Sequence, residues 1–472
     1  MEGVLYQHIF ELIFKKIHDP MVLEKLKRVN INWKKSIDKI FKTTDMWKSA
    51  CLNEIPSEPM TSMITRLFPM VHFENYHQLE DPILWRSLYI SYRKSMILSK
   101  LQPVIQVNYD FSELLRPYDY YYSLASCDQF FAVGENHGKI YVFDINQLNE
   151  PLYTVDLKSP IKDIKFWFSD TGELFLVAIV LPDYVKFWNL DRMVEVPCIG
   201  NAIGSYICSG TINRLLIMTT NRGLFEYKHT DEGITAYRVM DRLEERTLSM
   251  QLHSEGNKIT IVADHPNTLE LLNYRFPTSN ERNELIEVNR ISYYDEGDLT
   301  DQIRYRTPAY LFLTSNVILR MIFRERRYLI FYDPQSNWSM HYPFRGYGED
   351  NYITSGILHG KLLILGFESG HVRIFTVENI ELLKRSNLSL RSGIEYHVAD
   401  KSIQWLELFE TRKKIVIIAM ADRKVYSINF FPDHPRISTS NTTPSSTWVT
   451  ESSCNIIICD YILLYVENNG PM

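Results

Sequence analysis

A short pattern recurs seven times between residues 136 and 431, and each copy is a turn followed by an alternating strand with aromatic residues. The copies read NHGKIYVFDI, PDYVKFWNLD, NRGLFEYKH, PNTLELLNYRF, RRYLIFYDP, SGHVRIFTVEN and DRKVYSINFF. A second apolar strand precedes each copy, from FFAVG before the first to KIVIIAM before the last. Gly, Asn and Asp accept the positive φ angles of the tight turns that join twisted strands. The pattern therefore predicts seven β-hairpins.

The spacing of these copies is that of a repeat architecture. Equivalent positions at 138, 184, 223, 268, 327, 370 and 424 are 39 to 59 residues apart, close to the ~40–50-residue repeat of propeller blades. One hairpin cannot bury its apolar face, whereas several packed around an axis can, with the first and last joined to close the ring.

Residues 104–472 resemble a divergent WD-repeat β-propeller. Phe143-Asp144, Trp188-Asn189 and Tyr332-Asp333 stand where that family has its Trp-Asp dipeptide, and the upstream Gly-His element is absent. The resemblance implies seven blades, with eight as the alternative. We expect the segment CNIIICDYILLYVE at 454–467 to supply the final strands.

The first hundred residues have a helical pattern instead. Apolar residues recur at helical spacing at positions 9, 13 and 17, at 22, 23, 26 and 29, and at 33, 37, 40 and 41. Asp19 is a good N-cap, and Pro20 suits the first position of a helix. Met46-Trp47 would close the third helix. Helices this short are marginal alone because each buries one narrow stripe, so they need a partner to pack against.

The order of residues in ELIFKKIHDPMVLEKLKRVNINWKKS resembles the F-box, the helical motif that docks onto the Skp-type adaptor of an SCF ubiquitin ligase. Leu12, Ile13, Phe14, Ile17, Asp19, Pro20, Leu23, Val29 and Trp33 are in register with that motif. Its opening proline is missing, and Asn30 stands where the family commonly has cysteine. The resemblance implies that the adaptor is bound by Leu5, Ile9, Ile13, Pro20, Leu23, Val29 and Trp33.

A helical linker follows the F-box in that family, and DPILWRSLYISYRKS at 81–95 is similar to it, with Trp85 and Tyr89 one turn apart. We therefore expect an α + all-β chain in three parts. These are an F-box-like motif of three helices (1–50), a helical linker (51–103) and a WD-repeat-like β-propeller (104–472).

Charge is unevenly distributed along the chain. The net charge is −6, while residues 1–50 carry ten Lys/Arg against six Asp/Glu, a net of +4 that leaves −10 elsewhere. This balance gives no reason to expect a nucleic-acid partner. No apolar run reaches the ~18 residues of a membrane span, and the acidic start does not resemble a signal peptide. We expect an intracellular protein, cytoplasmic or nuclear, with reduced cysteines and neither metal nor cofactor.

Motifs of catalysis are absent from the sequence: it contains no His-Glu-x-x-His, no phosphate-binding Gly-x-x-x-x-Gly-Lys and no Gly-x-Ser-x-Gly. Arginines instead gather near the turns of three repeats, at Arg222, at Arg324, Arg326 and Arg327, and at Arg423. Guanidinium groups on convergent loops would bind an acidic or phosphorylated client peptide in a bidentate way. The alternative is a set of solvated turns.

The resemblances together imply a non-catalytic substrate receptor. Its F-box-like segment would hold the Skp-type adaptor and, through it, a cullin, and its propeller would present a client protein for ubiquitination. Two other classes stay open. One is a propeller scaffold whose front helices pack on their own blades, and the other is a propeller enzyme with ionisable residues at its central channel.

Overall fold

The computed structural model describes residues 9–431 except for 72, 74, 113–120, 183, 200–205, 211–213, 220–222, 242–248, 256–257, 265–267, 278–284, 295–308, 314–316, 322–327, 334–337, 344–352, 378–392 and 412–413. The chain divides into a unit of residues 1–434 and a unit of residues 435–472, and all described residues belong to the first. The predicted final strands at 454–467 therefore lie outside the described residues.

Six helices begin the described chain. They are α1 (residues 9–14), α2 (Pro20–Leu26), α3 (Ile31–Thr43), α4 (Met46–Glu54), α5 (Ser57–Leu67) and α6 (Pro82–Ser95). Short 3-10 turns lie at Tyr76–Gln78 and Leu98–Lys100. None of the helices in the described part of the chain is long and apolar enough to cross a bilayer.

Local capping explains where these helices begin. The Asp19 side chain accepts a hydrogen bond from the backbone N–H of Met21 at the start of α2, as expected from Asp19-Pro20. Asn30 caps α3 in the same way, through the backbone N–H of Trp33. The structure thus gives Asn30 a role as the N-cap of α3.

Met46 and Trp47 do not close the third helix, as the sequence suggested, but begin α4. The backbone of Thr44 is extended, and its hydroxyl donates to the carbonyl of Ile40, which ends α3. The expected boundary at residue 50 consequently falls inside α4.

One apolar core joins the helices. It contains residues of the expected F-box-like segment, such as Phe14, Leu23 and Ile37, together with Trp85 and Tyr89 of the expected linker. Trp47 packs on Tyr89 with ring centroids 5.9 Å apart. The segments 1–50 and 51–103 therefore share a core, and neither could bury its apolar side chains without the other.

The strands follow, beginning with β1 (Val104–Asp110). Sheet 1 contains β2 (Tyr121–Cys127), β3 (Phe130–Glu135), β4 (Lys139–Asp144) and β5 (Tyr153–Asp156). Sheet 2 contains β6 (Ile161–Phe168), β7 (Leu174–Val180), β8 (Tyr184–Asn189) and β9 (Val194–Val196). Sheet 3 contains β10 (Cys198–Ile199), β11 (Tyr206–Gly210), β12 (Leu215–Thr219), β13 (Gly223–Thr230) and β14 (Gly233–Met240).

Four further sheets complete the described strands. Sheet 4 contains β15 (Ser249–Glu255), β16 (Lys258–Asp264), β17 (Thr268–Arg275) and β18 (Ile286–Tyr294). Sheet 5 contains β19 (Ala309–Phe312), β20 (Val317–Met321), β21 (Tyr328–Asp333) and β22 (Trp338–Pro343). Sheet 6 contains β23 (Ile353–His359), β24 (Leu362–Phe367), β25 (His371–Thr376) and β26 (Ile394–His397). Sheet 7 contains β27 (Trp405–Glu410), β28 (Ile415–Ala421) and β29 (Lys424–Phe430), and its fourth strand is β1.

The predicted hairpins are confirmed as the central strand pairs of these sheets. They are β3–β4, β7–β8, β12–β13, β16–β17, β20–β21, β24–β25 and β28–β29, all antiparallel. Buried apolar clusters join sheet 7 to sheet 1, sheet 1 to sheet 2, sheet 2 to sheet 3, sheet 3 to sheet 4, and sheet 6 to sheet 7. The fold is therefore a β-propeller preceded by helices.

The last sheet is completed by a strand from the beginning of the propeller. β1 pairs with β29 along its length, from Val104 opposite Asn429 to Asp110 opposite Lys424. Ile105 packs on the apolar core that sheets 6 and 7 share. The fourth strand of sheet 7 is thus supplied by residues that precede sheet 1.

Strand order also gives the propeller two distinct faces. First strands of neighbouring sheets contact each other, as β2 does with β6 and β11 with β15, so these strands surround the central channel. In an antiparallel sheet, the turns after the first and third strands lie at one end and the turn after the second strand lies at the other. We call the end with the turns after the first and third strands the proximal face, and the end with the turn after the second strand the distal face.

Candidate interaction surfaces

Six large apolar side chains of the first helices face water. They are Ile9, Leu12 and Ile13 of α1, Val22 of α2, and Val29 and Ile31 at the connection between α2 and α3, each between 41% and 62% exposed. We call these residues the apolar patch. Single exposed apolar residues are ordinary, but a group of them on one small helical region is a candidate interaction surface.

The patch is supported from behind by an aromatic cluster. Phe10 and Phe14 of α1 pack on Trp33 of α3, with ring centroids 5.7 and 5.3 Å from that of Trp33. Glu11 of α1 accepts hydrogen bonds from Lys39 of α3. These contacts fix α1 against α3, so the exposed side chains are held on a rigid base.

The predicted adaptor residues divide between surface and core. Three of them, Ile9, Ile13 and Val29, belong to the apolar patch. Pro20 and Leu23 are buried in the helical core and cannot touch a partner, so we assign them to positioning the patch. Trp33 is half-buried behind the patch, and Leu5 lies outside the described residues.

Leu12, Val22 and Ile31 belong to the surface although sequence reasoning did not select them for it. α2 has only seven residues and carries apolar side chains on both sides, so its sequence does not distinguish the buried Leu23 from the exposed Val22. Ile31 directly follows the N-cap Asn30, a position that often lies at a helix surface. The fixed direction of α1 against Trp33 decides which residues face out.

Helix α5 lies across the proximal mouth of the central channel. A cavity of about 350 Å³ lies between Thr65 and Arg66 of α5 and the ends of several first strands, including Cys127 of β2 and Phe312 of β19. The Arg66 guanidinium is 3.5 Å from a carboxylate oxygen of Glu407 in β27. The proximal mouth is thus covered by the protein's own helix.

Helix α6 fixes the helices to sheets 6 and 7. Lys94 forms an ion pair of 3.0 Å with Glu410 of β27, and both side chains are mostly buried. Ser91 lies 3.2 Å from Nε2 of His359, which is fully buried at the turn between β23 and β24. These contacts cross from helix to propeller, and sequence reasoning selected none of them.

His359 gives this junction a dependence on pH. Burial, with the nearby Arg66 cation, lowers the pKa of His359 from its ordinary 6.5 to about 3. Below pH 6.5 this histidine is therefore protonated in the unfolded chain but stays neutral in the folded chain. The free energy of unfolding consequently falls as the pH falls toward 3. We expect this histidine to remove about 1.5–2 kcal/mol from the free energy of unfolding between pH 6.5 and pH 5.

Urea unfolding of the native chain and of His359→Gln at both pH values measures this effect. Other titrating groups contribute equally to the two proteins, so the difference between their pH dependences reports His359 alone. Identical pH dependence of the two proteins would contradict the buried neutral histidine.

The distal face carries the turns that follow the second strands. Arg423 lies in the turn between β28 and β29, with a φ of 62°, and its carbonyl accepts a hydrogen bond from the N–H of Phe111. Asp422 of the same turn pairs with Lys401 at 2.9 Å. Arg222, Arg324, Arg326 and Arg327 lie outside the described residues, so their convergence with Arg423 stays a prediction.

Chemistry-bearing side chains are dispersed in the part of the chain that the structure describes. There, no three His, Cys, Asp or Glu side chains come together as metal ligands. Burial raises the pKa of Cys51 to about 12, so this thiol stays protonated at neutral pH. The feature that stands out among the described residues is the apolar patch, a candidate surface for binding.

Comparison with known proteins adds little to this description. No family model matches the chain, and no curated protein matches it. Among solved structures, one chain from "Crystal Structure of Mitotic Checkpoint Complex" is similar, with a TM-score of 0.44 and 12% identity over 70% of this chain and 92% of that chain. The class is therefore defined by the protein's own sheets: it is a helix-preceded β-propeller, a fold that commonly binds other proteins.

Proposed function

We propose that this protein is a non-catalytic substrate receptor of an SCF-type ubiquitin ligase. Its first three helices bind a Skp-type adaptor and through it a cullin, and its propeller binds a client protein for ubiquitination. The observation that carries the proposal is the apolar patch, because apolar area left in water is unfavourable until a partner covers it. The F-box-like order of residues in the same segment supports a helical adaptor as that partner.

The proposal includes a propeller of seven blades, one for each sheet among the described residues. The apolar clusters between neighbouring sheets support it, and so does the stacking of His253 in sheet 4 on Phe312 in sheet 5, with centroids 5.1 Å apart. Sheet 7 already has four strands with β1 in place. An eighth blade would require strands beyond these.

The client binds at the distal face in this proposal. α5 covers the proximal mouth of the channel, so we assign the client to the opposite end. Arg423 lies at the distal face, and in the sequence Arg222, Arg324, Arg326 and Arg327 also fall between second and third strands. An acidic or phosphorylated segment is the client chemistry that such guanidinium groups favour.

The connection between the two surfaces supports a proximity mechanism. α6 shares the helical core and is tied to sheet 7 by the mostly buried Lys94–Glu410 ion pair, so the adaptor and the client are held at a fixed separation. A bound client then experiences a high effective concentration of the ubiquitin-charged enzyme. The protein needs no cofactor for this role and acts inside the cell, in the cytoplasm or the nucleus.

A scaffold without any ligase is the second candidate. The contacts of α5 and α6 with the propeller favour it, because they explain these helices as part of the protein's own fold. These contacts do not involve the apolar patch, however. If the protein is a scaffold without a ligase, the patch stays exposed to water.

Affinity purification of the full chain from cells, followed by mass spectrometry, separates the two candidates. We expect a Skp-type adaptor and a cullin in amounts comparable to the protein itself. Recovery of client proteins with neither adaptor nor cullin would overturn the receptor proposal and support the scaffold.

A further inference from the structure

The acidic side chains of the first three helices and their caps all have a basic partner within the protein. Residues 9–43 contain four carboxylates. Glu11 pairs with Lys39 at 2.9 Å, and Asp38 pairs with Lys27 at 2.7 Å. Glu24 and Asp19 are bound by arginines of α6, Arg86 at 2.7 Å and Arg93 at 3.7 Å. Arg93 also pairs with Glu54 at 3.2 Å. Each of the four carboxylates thus has a basic partner, and none of these partners belongs to the exposed cations described next.

Seven cations remain in the same segment of the chain. They are Lys15, Lys16, Lys25, Arg28, Lys34, Lys35 and Lys42, all exposed and none in an ion pair within the described chain. We call these residues the basic rim. Their excess is a property of the folded protein, because two of the four carboxylates are paired with Arg86 and Arg93 of α6, which are distant in the sequence.

Helical spacing sets the basic rim beside the apolar patch. Lys25 lies three residues after Val22 on α2, and Lys34 and Lys35 lie three and four residues after Ile31 on α3. Residues at these spacings are neighbours on a helix surface. Arg28 directly precedes Val29, and Lys15 and Lys16 follow α1. An exposed apolar centre is thus bordered by unpaired positive charge.

We infer that the partner surface is acidic around an apolar centre, and that its association with this protein is electrostatically steered. The inference rests on the proposed function and specifies the chemistry of the adaptor surface. Complementary charge at the edge of an interface raises the association rate and makes it dependent on salt, while the buried apolar centre governs dissociation. An anionic membrane is the less favoured partner, because a helix that lies on a bilayer presents one long apolar face, whereas here the apolar residues are shared by three short helices.

Binding kinetics of the full chain with a purified Skp-type adaptor test this inference. We expect the association rate constant to fall at least tenfold between about 50 mM and 500 mM salt. The variant Lys25→Glu/Lys34→Glu/Lys35→Glu should lower it at least tenfold at low salt, with little change in the dissociation rate. The control Lys100→Glu/Lys139→Glu/Lys258→Glu alters the net charge equally at exposed lysines elsewhere and should bind as the native chain does.

The outcomes separate the inference from the function on which it rests. If the adaptor binds with an association rate that changes neither with salt nor in the rim variant, the acidic partner surface is wrong and the receptor proposal still holds. Absence of any adaptor binding would overturn both. A third result is that the native chain fails to bind the adaptor but binds vesicles that contain phosphatidylserine, and that the rim variant loses this vesicle binding. That result would show that the partner is a membrane.

Discussion

Replacing Ile13 and Val29 by aspartate should abolish capture of the Skp-type adaptor while the fold stays intact. Both side chains belong to the apolar patch, at 52% and 49% exposure, so a carboxylate at either position remains solvated in the free protein. In the complex each carboxylate would be buried against an apolar partner without a counter-charge. We expect at least a hundredfold loss of affinity, about 3 kcal/mol, measured by calorimetry with the purified adaptor.

A matched pair of substitutions controls for the added charge. Ile83 on α6 and Val288 on β18 are also exposed, at 71% and 56%, and lie outside the patch. Ile83→Asp/Val288→Asp should therefore bind the adaptor as the native chain does. If both double variants lose the same affinity for the adaptor, or if neither loses affinity, the patch is not the docking surface. Leu23→Asp would not serve here, because a charge at this fully buried position would unfold the helical core.

The largest effect on stability is expected from Gly370→Ala, in the turn between β24 and β25. Gly370 has a φ of 77°, and a Cβ at this position would overlap the carbonyl oxygen of Ala399. The carbonyl of Gly370 itself accepts hydrogen bonds from Val398 and Ala399, so the obstructing backbone cannot move without losing those bonds. We expect a loss of about 3 kcal/mol or more in the free energy of unfolding, measured in urea.

Gly172 provides the comparison, since its φ is 81° and its Cβ would meet only the terminal methyl carbon of Met70, at 3.0 Å. Gly172→Ala should therefore cost only the conformational strain, about 1–2 kcal/mol. Similar losses in the two variants would mean that the clash at Ala399 is relieved by movement of the turn.

The hairpins were predictable because their signals are local. A Gly, Asn or Asp turn between two apolar strands specifies the pairing of neighbouring segments, and every predicted hairpin is present. The fourth strand of sheet 7 was not predictable in this way. β1 meets β29 only because the ring closes, and no local pattern relates Val104 to Asn429. The expectation of final strands at 454–467 stays a prediction, since those residues lie outside the described part of the chain.

The candidate surface was predictable in its location but not in its residues. Helical periodicity and the F-box-like order identified the segment that bears the apolar patch. They did not separate Leu23, which is buried, from Val22, which is exposed, because that depends on how α2 packs on α3 and α4. The basic rim depends on ion pairs with Arg86 and Arg93, and these pairs exist only after α6 has folded against the first helices.

The pairing of β1 with β29 has a consequence for synthesis. Asn429 leaves the ribosome 325 residues after its partner Val104 (429 minus 104), which at about 5–20 residues per second takes roughly 16–65 s. During that interval β1 is a nascent strand whose backbone groups lack their permanent neighbour. Until the last repeat emerges, β1 is therefore open to pairing with strands of other unfinished chains.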